Sequence, residues 1–562
     1  MDILVCMKQV IDDSVPLDPA GLESASTILN PYDGYALELA LRYVQKHEGS
    51  VTVLSAGGAG IEPVLYQGMA CGADQAVRIG CDDNSGDFSQ AIWAGICELE
   101  QKRGKPYDLV LVGKEAPDTM SGGTGPKLAH LLERGFLSLV TGFDEHTAKR
   151  QTDEGSQKYR WLSPFVFSVE RFGNDLRYPT LKNKLAARKK EIERIEGEAG
   201  AQDSSCKKEY IAFSKRKGCI PVQPEQIQDA VQTIREIIEE KNRGENRMES
   251  LLVYLGDGDT IKENAALLSG KECWSLSGLQ VIGAVFGALL EEERAFLYGA
   301  GAQTLIEITE NETSYWKADT RAKILTDLLK QNKGTLLFLG DTIQEREIGA
   351  RVCAAMGWPG WNHIVSVESE GERKRIRRLA YGKCLLEEIS LRQPSVMSFL
   401  LRPRQLANGT GGELVSYSAD HIRPFGQAEC VEEIREPVED IDLEKAEIVI
   451  GGGNGLGGRE NFELLRELAI RLGGAVAATR PVIEAGWAPR NRQVGQSGKS
   501  ISPELYLAFG ISGASQHISG MINAKYVVAV NTDAEAPIFQ YADYGIVGDV
   551  NEILPKLLQD LK

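Results

Sequence analysis

The stretch Glu447-Ile448-Val449-Ile450-Gly451-Gly452-Gly453-Asn454-Gly455-Leu456-Gly457-Gly458 is a β-branched run that empties into glycine. Residues 461–472 follow with apolar side chains at helical spacing. Strand, glycine turn, helix is the order in which a parallel α/β sheet builds a phosphate site. Residues 453–458 carry the spacing G-x-G-x-x-G. Glycine lets backbone N–H groups approach a pyrophosphate, and the dipole of the next helix favours the anion. A site of the NAD type also needs an acid at the end of the following strand, to hold the ribose. Here that strand, 475–478, ends in Thr479-Arg480, a hydroxyl and a cation. That weakens the reading of the turn as an NAD site.

Upstream of this stretch the same alternation appears twice. Residues 3–10, 51–54 and 108–113 are expected as strands, and 31–45 and 126–133 as helices. Apolar strands separated by helices imply a parallel sheet covered on both faces. Residues 188–217 are charged and lack apolar periodicity, which suggests an exposed connector. A helix is expected from Pro224 to about 240, followed by polar residues 241–249. The pattern restarts at Leu251 with strands at 251–256 and 335–340. The apolar run 279–290 is too short to span a bilayer and is expected to be a core helix. Three α/β domains result, at 1–195, 248–435 and 436–562, with a linker and arm at 196–247.

Composition narrows the function classes. The chain has 562 residues, 42% hydrophobic and 25% charged, with a net charge of -17. That acidity argues against general nucleic-acid binding. The cysteines form no C-x-x-C pair, so neither an Fe–S cluster nor a structural zinc is expected, and no metal site. The N-terminus lacks the cationic start and long apolar run of a signal peptide, and a cytoplasmic protein without membrane insertion is expected.

After residue 479 the sequence is rich in loop-borne polar groups: Trp487-Ala488-Pro489-Arg490, Gln493-Val494-Gly495-Gln496-Ser497-Gly498-Lys499, residues 510–517, Asn531-Thr532-Asp533 and residues 543–549. Several follow strand-like runs, and parallel sheets bind ligands at the carboxyl ends of their strands. Pro481-Val482-Ile483-Glu484-Ala485-Gly486-Trp487, the 493–499 segment, 510–517 and Glu535-Ala536-Pro537-Ile538-Phe539-Gln540 resemble the FAD domain of the electron-transfer flavoprotein alpha subunit. The resemblance implies Rossmann-like domains, the last of them an FAD domain mobile against the others. It also implies FAD contacts from Asn454, Thr479, Arg480, Gln496, Ser497, Gly498, Ser512, Gln516, His517, Asn531 and Asp549. In that family Arg480 lies over the isoalloxazine, and Ser497 stands where a threonine bonds flavin N5. His517 lies near flavin O2, with Gln516 and Ser512 beside it. Asn531 and Asp549 lie on the ribose and adenosine side. Asn454 replaces a common arginine, which removes a cation from the phosphate side. Reduced flavin carries negative charge around N1–O2, which Arg480 or a proton-bearing His517 would stabilise. Such an attraction is about 4 kcal/mol at ~4 Å and a dielectric of ~20, before desolvation. This tuning is how a protein makes flavin an electron carrier.

Residues 1–195 resemble the beta subunit of the same family through Asn30-Pro31-Tyr32-Asp33, residues 68–74 and 108–114. Two subunits fused in one chain are thereby implied, beta-like first and alpha-like second. Residues 250–435 resemble the alpha N-terminal domain, best at Arg378-Leu379-Ala380-Tyr381-Gly382. The beta subunit buries AMP or, in electron-bifurcating members, a second FAD. Asp118, Ser121 and Thr124 stand at the matching loop and Asn30 is expected at the same nucleotide, but Met120 and Gly123 replace the loop's second acid and its glutamine. Residues 177–181 resemble the loop that docks flavin-dependent dehydrogenases, of the acyl-CoA type by default, with Tyr178 and Leu181 as the contact. The expected role is an electron carrier with no substrate of its own and no catalytic residue. An electron-bifurcating protein oxidising NADH with two FADs, and a non-redox nucleotide-binding regulator, are the rivals.

Overall fold

A computed structural model describes residues 1–12, 25–81, 88–152, 155–171, 176–197, 207–212, 220–222, 251–257, 259–268, 274–275, 280–309, 317–332, 335–370, 373–380, 385–391, 394–399, 412–419, 422, 428–435, 443, 446–495, 498–499 and 501–560. The chain forms two compact units. One comprises residues 1–211, 246–381 and 387–436, the other 212–245, 382–386 and 437–562.

The first unit holds two large sheets. Ile3, Val5, Val51, Val53, Leu109, Leu111 and Phe167 line one face of the first sheet and are fully buried. Leu4, Leu54, Val110 and Val166 line the other. Burial on both faces is what a near-continuous apolar strand requires. Its order is Glu193–Glu196, Gln75–Gly80, Ser50–Ala56, Asp2–Cys6, Leu109–Gly113, Phe165–Val169, Gly135–Phe143, Thr147–Thr152, Gly155–Trp161 and Ala428–Arg435. The first seven strands are parallel and the last three antiparallel. Ala428–Arg435 reaches this sheet from far along the chain.

The second sheet has eleven strands around a parallel centre. Its middle runs Gly360–Glu370, Ser395–Phe399, Leu336–Gly340, Leu252–Gly256, Ile282–Phe286, Thr304–Thr309 and Glu413–Ser418. Within the apolar run 279–290, Ile282–Phe286 is therefore a strand where a core helix is expected from the sequence. Its β-branched Val281, Ile282 and Val285 suit a doubly covered parallel strand. Gly287, at φ 116°, then ends it before helix Glu291–Ala300. The connector 188–217 is corrected in part: Glu193–Glu196 pairs with Gln75–Gly80, burying Ile195. The expected helix after Pro224 lies outside the described residues.

The second unit is a six-stranded parallel sheet. Its order is Ile220–Val222, Tyr544–Val547, Tyr526–Asn531, Leu505–Phe509, Ile448–Gly452 and Ala475–Ala478. Numbered from residue 448, the strands lie 5-4-3-1-2. The chain moves to one side of Ile448–Gly452 and then to the other, so a crevice opens where that strand and Leu505–Phe509 end. Ile220–Val222, from the linker, adds an edge strand.

Candidate functional site

Because the strands of the second unit are parallel, every loop at their carboxyl ends lies on one rim. The turn after Ile448–Gly452 presses on its neighbour's exit. The Gly453 and Gly455 amides donate to the Phe509 and Gly510 carbonyls, each at 2.9 Å. A methyl on Gly453 would overlap the Gly510 carbonyl, and one on Gly455 would come within 2.8 Å of Gly510 Cα. Gly457 and Gly458 instead face open space at the start of the 14-residue helix Arg459–Leu472, which has no side-chain cap. The Gly457 amide donates to the Asn454 carbonyl at 3.1 Å, which leaves the Gly458 amide and the first amides of the helix to suit a phosphate.

Thr479 follows the edge strand, and its amide donates to the Gly452 carbonyl at 3.0 Å. Its hydroxyl is buried with no hydrogen-bond partner among the described residues. A buried hydroxyl without a partner carries an energetic penalty, which a ligand atom relieves. Arg480 begins the next helical turn, is exposed, and pairs with Glu484 at 2.7 Å.

Residues 493–495 and 498–499 are tied closely together by backbone hydrogen bonds. Gly495 and Gly498 amides donate to the Lys499 and Gly495 carbonyls, and Lys499 to Gln493. Gln496 and Ser497 lie outside the described residues. Under this loop His517 is buried, with Nδ1 3.0 Å from the Val494 carbonyl and Nε2 2.9 Å from the Tyr506 hydroxyl. The carbonyl only accepts, so Nδ1 carries the proton and Nε2 accepts from Tyr506. Burial pulls the His517 pKa down to about 4, against the Val494 hydrogen bond that raises it. Burial also pushes the Tyr506 phenol far up. The ring is therefore neutral at pH 7, which of the two alternatives above leaves Arg480 rather than a proton-bearing His517 as the candidate cation. Sequence reading missed Tyr506, whose place in an apolar strand hides its polar tip.

Ser512 and Gln516 are exposed on the loop and helix after Leu505–Phe509. Asn531 donates to the Ile511 carbonyl at 2.9 Å, which ties two rim loops together. Asp549 accepts from the Asn551 amide at 2.8 Å and starts the last helix. Asn454 is exposed in the glycine turn. The rim thus gathers the described members of the expected set. A side-chain-free phosphate cradle, an unpartnered buried hydroxyl and an exposed guanidinium fit FAD.

In the first unit, Asn30 caps helix Pro31–Val44 and donates to the Glu115 carbonyl at 3.0 Å. Asp118 pairs with Lys8 at 2.6 Å and accepts from the Thr119 amide at 2.8 Å. Ser121 Oγ lies 3.5 Å from the Gly123 amide, and Thr124 opens helix Thr124–Leu131. Tyr178 and Leu181 are 96% and 74% exposed, and Leu185, one turn on, is 54% exposed. Beneath them Arg177 makes a two-pronged pair with the nearly buried Glu38, at 2.9 and 3.1 Å. Arg177 and Arg42 together hold the Glu38 carboxyl below its usual range despite its burial. Among the described residues no helix is long and apolar enough to cross a membrane.

The third sheet and its rim define a nucleotide-binding α/β protein. The electron transfer flavoprotein domain matches residues 22–199 and 265–411, and the electron transfer flavoprotein FAD-binding domain matches 442–522. The electron transfer flavoprotein subunit alpha of Clostridium acetobutylicum is 33% identical over 317 residues, 54% of this chain and 94% of that one. Protein FixB of Clostridium saccharobutylicum is 32% identical over 313 residues, 54% of this chain and 93% of that one. The mitochondrial subunit alpha of Arabidopsis thaliana is 56% identical over 120 residues, 21% of this chain and 33% of that one. The chain belongs to the electron transfer flavoprotein family and carries its FAD-binding domain.

Proposed function

We propose that this chain is an FAD-carrying electron shuttle with beta-like and alpha-like parts fused, at 1–195 and from 248 onward. It takes electrons from a flavin-dependent dehydrogenase, of the acyl-CoA type, and passes them singly to an acceptor in the cytoplasm. The observation that carries this reading is the unpartnered Thr479 hydroxyl beside the open glycine cradle of the FAD-binding domain.

When bound, FAD supplies a reservoir for two electrons that can leave one at a time. The residues around it do the rest. The Gly458 amide and the first amides of helix Arg459–Leu472 take the phosphate charge, and Thr479 offers its hydroxyl. The Arg480 guanidinium favours added negative charge. Its pairing with Glu484 is exposed and worth at most about 1 kcal/mol, so Arg480 is readily released to a ligand. Neutral His517 fixes the 493–499 loop and adds no charge. The exposed Tyr178–Leu181–Leu185 patch, rimmed by Lys182, Lys184 and Arg188, suits a transient interface.

The test is reduction of the FAD-loaded chain by an acyl-CoA dehydrogenase with its substrate, compared with reduction by NADH. Reduction through the dehydrogenase and none by NADH supports the shuttle. Rapid reduction by NADH, with two flavins per chain, favours the bifurcating protein.

A further inference from the structure

The loop at residues 115–121 is the place where this family's beta subunit takes a nucleotide, and here its polar groups face elsewhere. Three consecutive carbonyls of the loop each meet a side chain from the second sheet of the same unit. Arg378 Nη2 donates to the Thr119 carbonyl at 3.0 Å. His363 Nε2 lies 3.0 Å from the Met120 carbonyl and 3.3 Å from Arg346 Nη1. The Asn362 amide donates to the Ser121 carbonyl. At the loop's other end Arg346 pairs with Glu115 at 3.4 Å.

The clamping side chains are themselves held. His363 Nδ1 lies 2.5 Å from Asp341 Oδ2, its backbone amide donates to Asp341 Oδ1 at 3.1 Å, and Arg378 pairs with buried Glu387 at 2.5 Å. Met120 and His363, which meet across the contact, sit at φ 51° and 55°. Non-glycine residues persist in that left-handed region only where surroundings dictate it.

The groups a nucleotide would need are engaged. Asp118 is paired with Lys8, and the Asn30 side chain is shared between the Glu115 carbonyl and the Tyr32 amide. Helix Ile343–Met356 packs on helix Thr124–Leu131, and a Cβ built on Gly123 would already touch Ala350 at 3.5 Å. At that helix start, where a phosphate would sit, Gly123 is buried and Ala350 lies alongside. The residues present therefore do not fit AMP or a second FAD.

We infer that the 115–121 loop is an internal lock, keyed by Asn362, His363 and Arg378, which joins the first and second sheets in the place of a bound nucleotide. Its test does not depend on FAD occupancy in the second unit. The purified full chain is denatured and its released nucleotides are counted, and the native chain is titrated with AMP by calorimetry. Neither AMP nor a second FAD is expected, and AMP should give no heat at millimolar concentration. Stoichiometric AMP, a second FAD or saturable AMP binding overturns the inference. A chain that releases no FAD at all counts against the shuttle and leaves the lock standing. In the Asn362→Ala and Arg378→Lys chains, hydrogen exchange at 115–123 should quicken about tenfold, with exchange in the second unit unchanged. Unchanged exchange in a folded variant of either kind overturns it as well.

Discussion

Thr479 separates a ligand site from a merely tight turn. Its hydroxyl is buried and unpartnered, so Thr479→Val should leave the flavin-free chain as stable as before, or about 1 kcal/mol more stable. The same change should weaken FAD about tenfold, read by fluorescence titration. A loss of stability without a change in FAD affinity would assign the hydroxyl to the fold. His517 gives a second residue-level test. Its folded pKa is about 4, below the value near 6.5 of an unfolded histidine. The unfolded chain thus gains the proton first as pH falls. Stability attributable to His517 is full above pH ~6.5 and declines toward pH 4, by about 3 kcal/mol in all. Thermal unfolding of the wild type should therefore fall more steeply between pH 7 and 4.5 than that of His517→Gln. Parallel curves would contradict a neutral buried ring.

At the element scale, helix Leu181–Ala187 is short, capped by Thr180, and leaves its leucines in solvent. A seven-residue helix is not stable alone, so its base must be fixed from outside. The Glu38–Arg177 pair does this, helped by the Cys71 thiol, which donates to the Arg177 carbonyl. Leu181→Ala should slow reduction by an acyl-CoA dehydrogenase about tenfold at limiting dehydrogenase, with FAD content unchanged. An unchanged rate would remove the patch from the interface. The elements that sequence located best were strands followed by glycine, because glycine exits and β-branched runs are local signals. Ala475–Ala478 and the turn at 453–458 fall where their residues indicate. The run 279–290 was read as a helix because a doubly buried strand and a buried helix share one apolar pattern. Only pairing on both sides, to Leu252–Gly256 and Thr304–Thr309, decides between them. Long-range contacts such as His363 to Met120 leave no mark on local sequence.

At the scale of the whole molecule, each unit is organised by parallel sheets, and strands cross the chain's sequence order to complete them. Ala428–Arg435 closes the first sheet and Ile220–Val222 extends the third. A segment of the linker and the end of the second region are thus built into sheets far from them in sequence. The loop 115–121 joins two sheets within the first unit by side chains alone. The rim of the third sheet is where the functional reading rests. It is tested most directly by titrating the flavin-free chain with FAD and following flavin fluorescence, in the wild type and in Gly453→Ala. Saturable uptake of a single FAD per chain is expected, abolished or weakened more than a hundredfold where a methyl on Gly453 meets the Gly510 carbonyl. A wild-type chain that takes up no FAD, or a folded Gly453→Ala chain that binds it as tightly as before, would contradict a flavin seated on this rim.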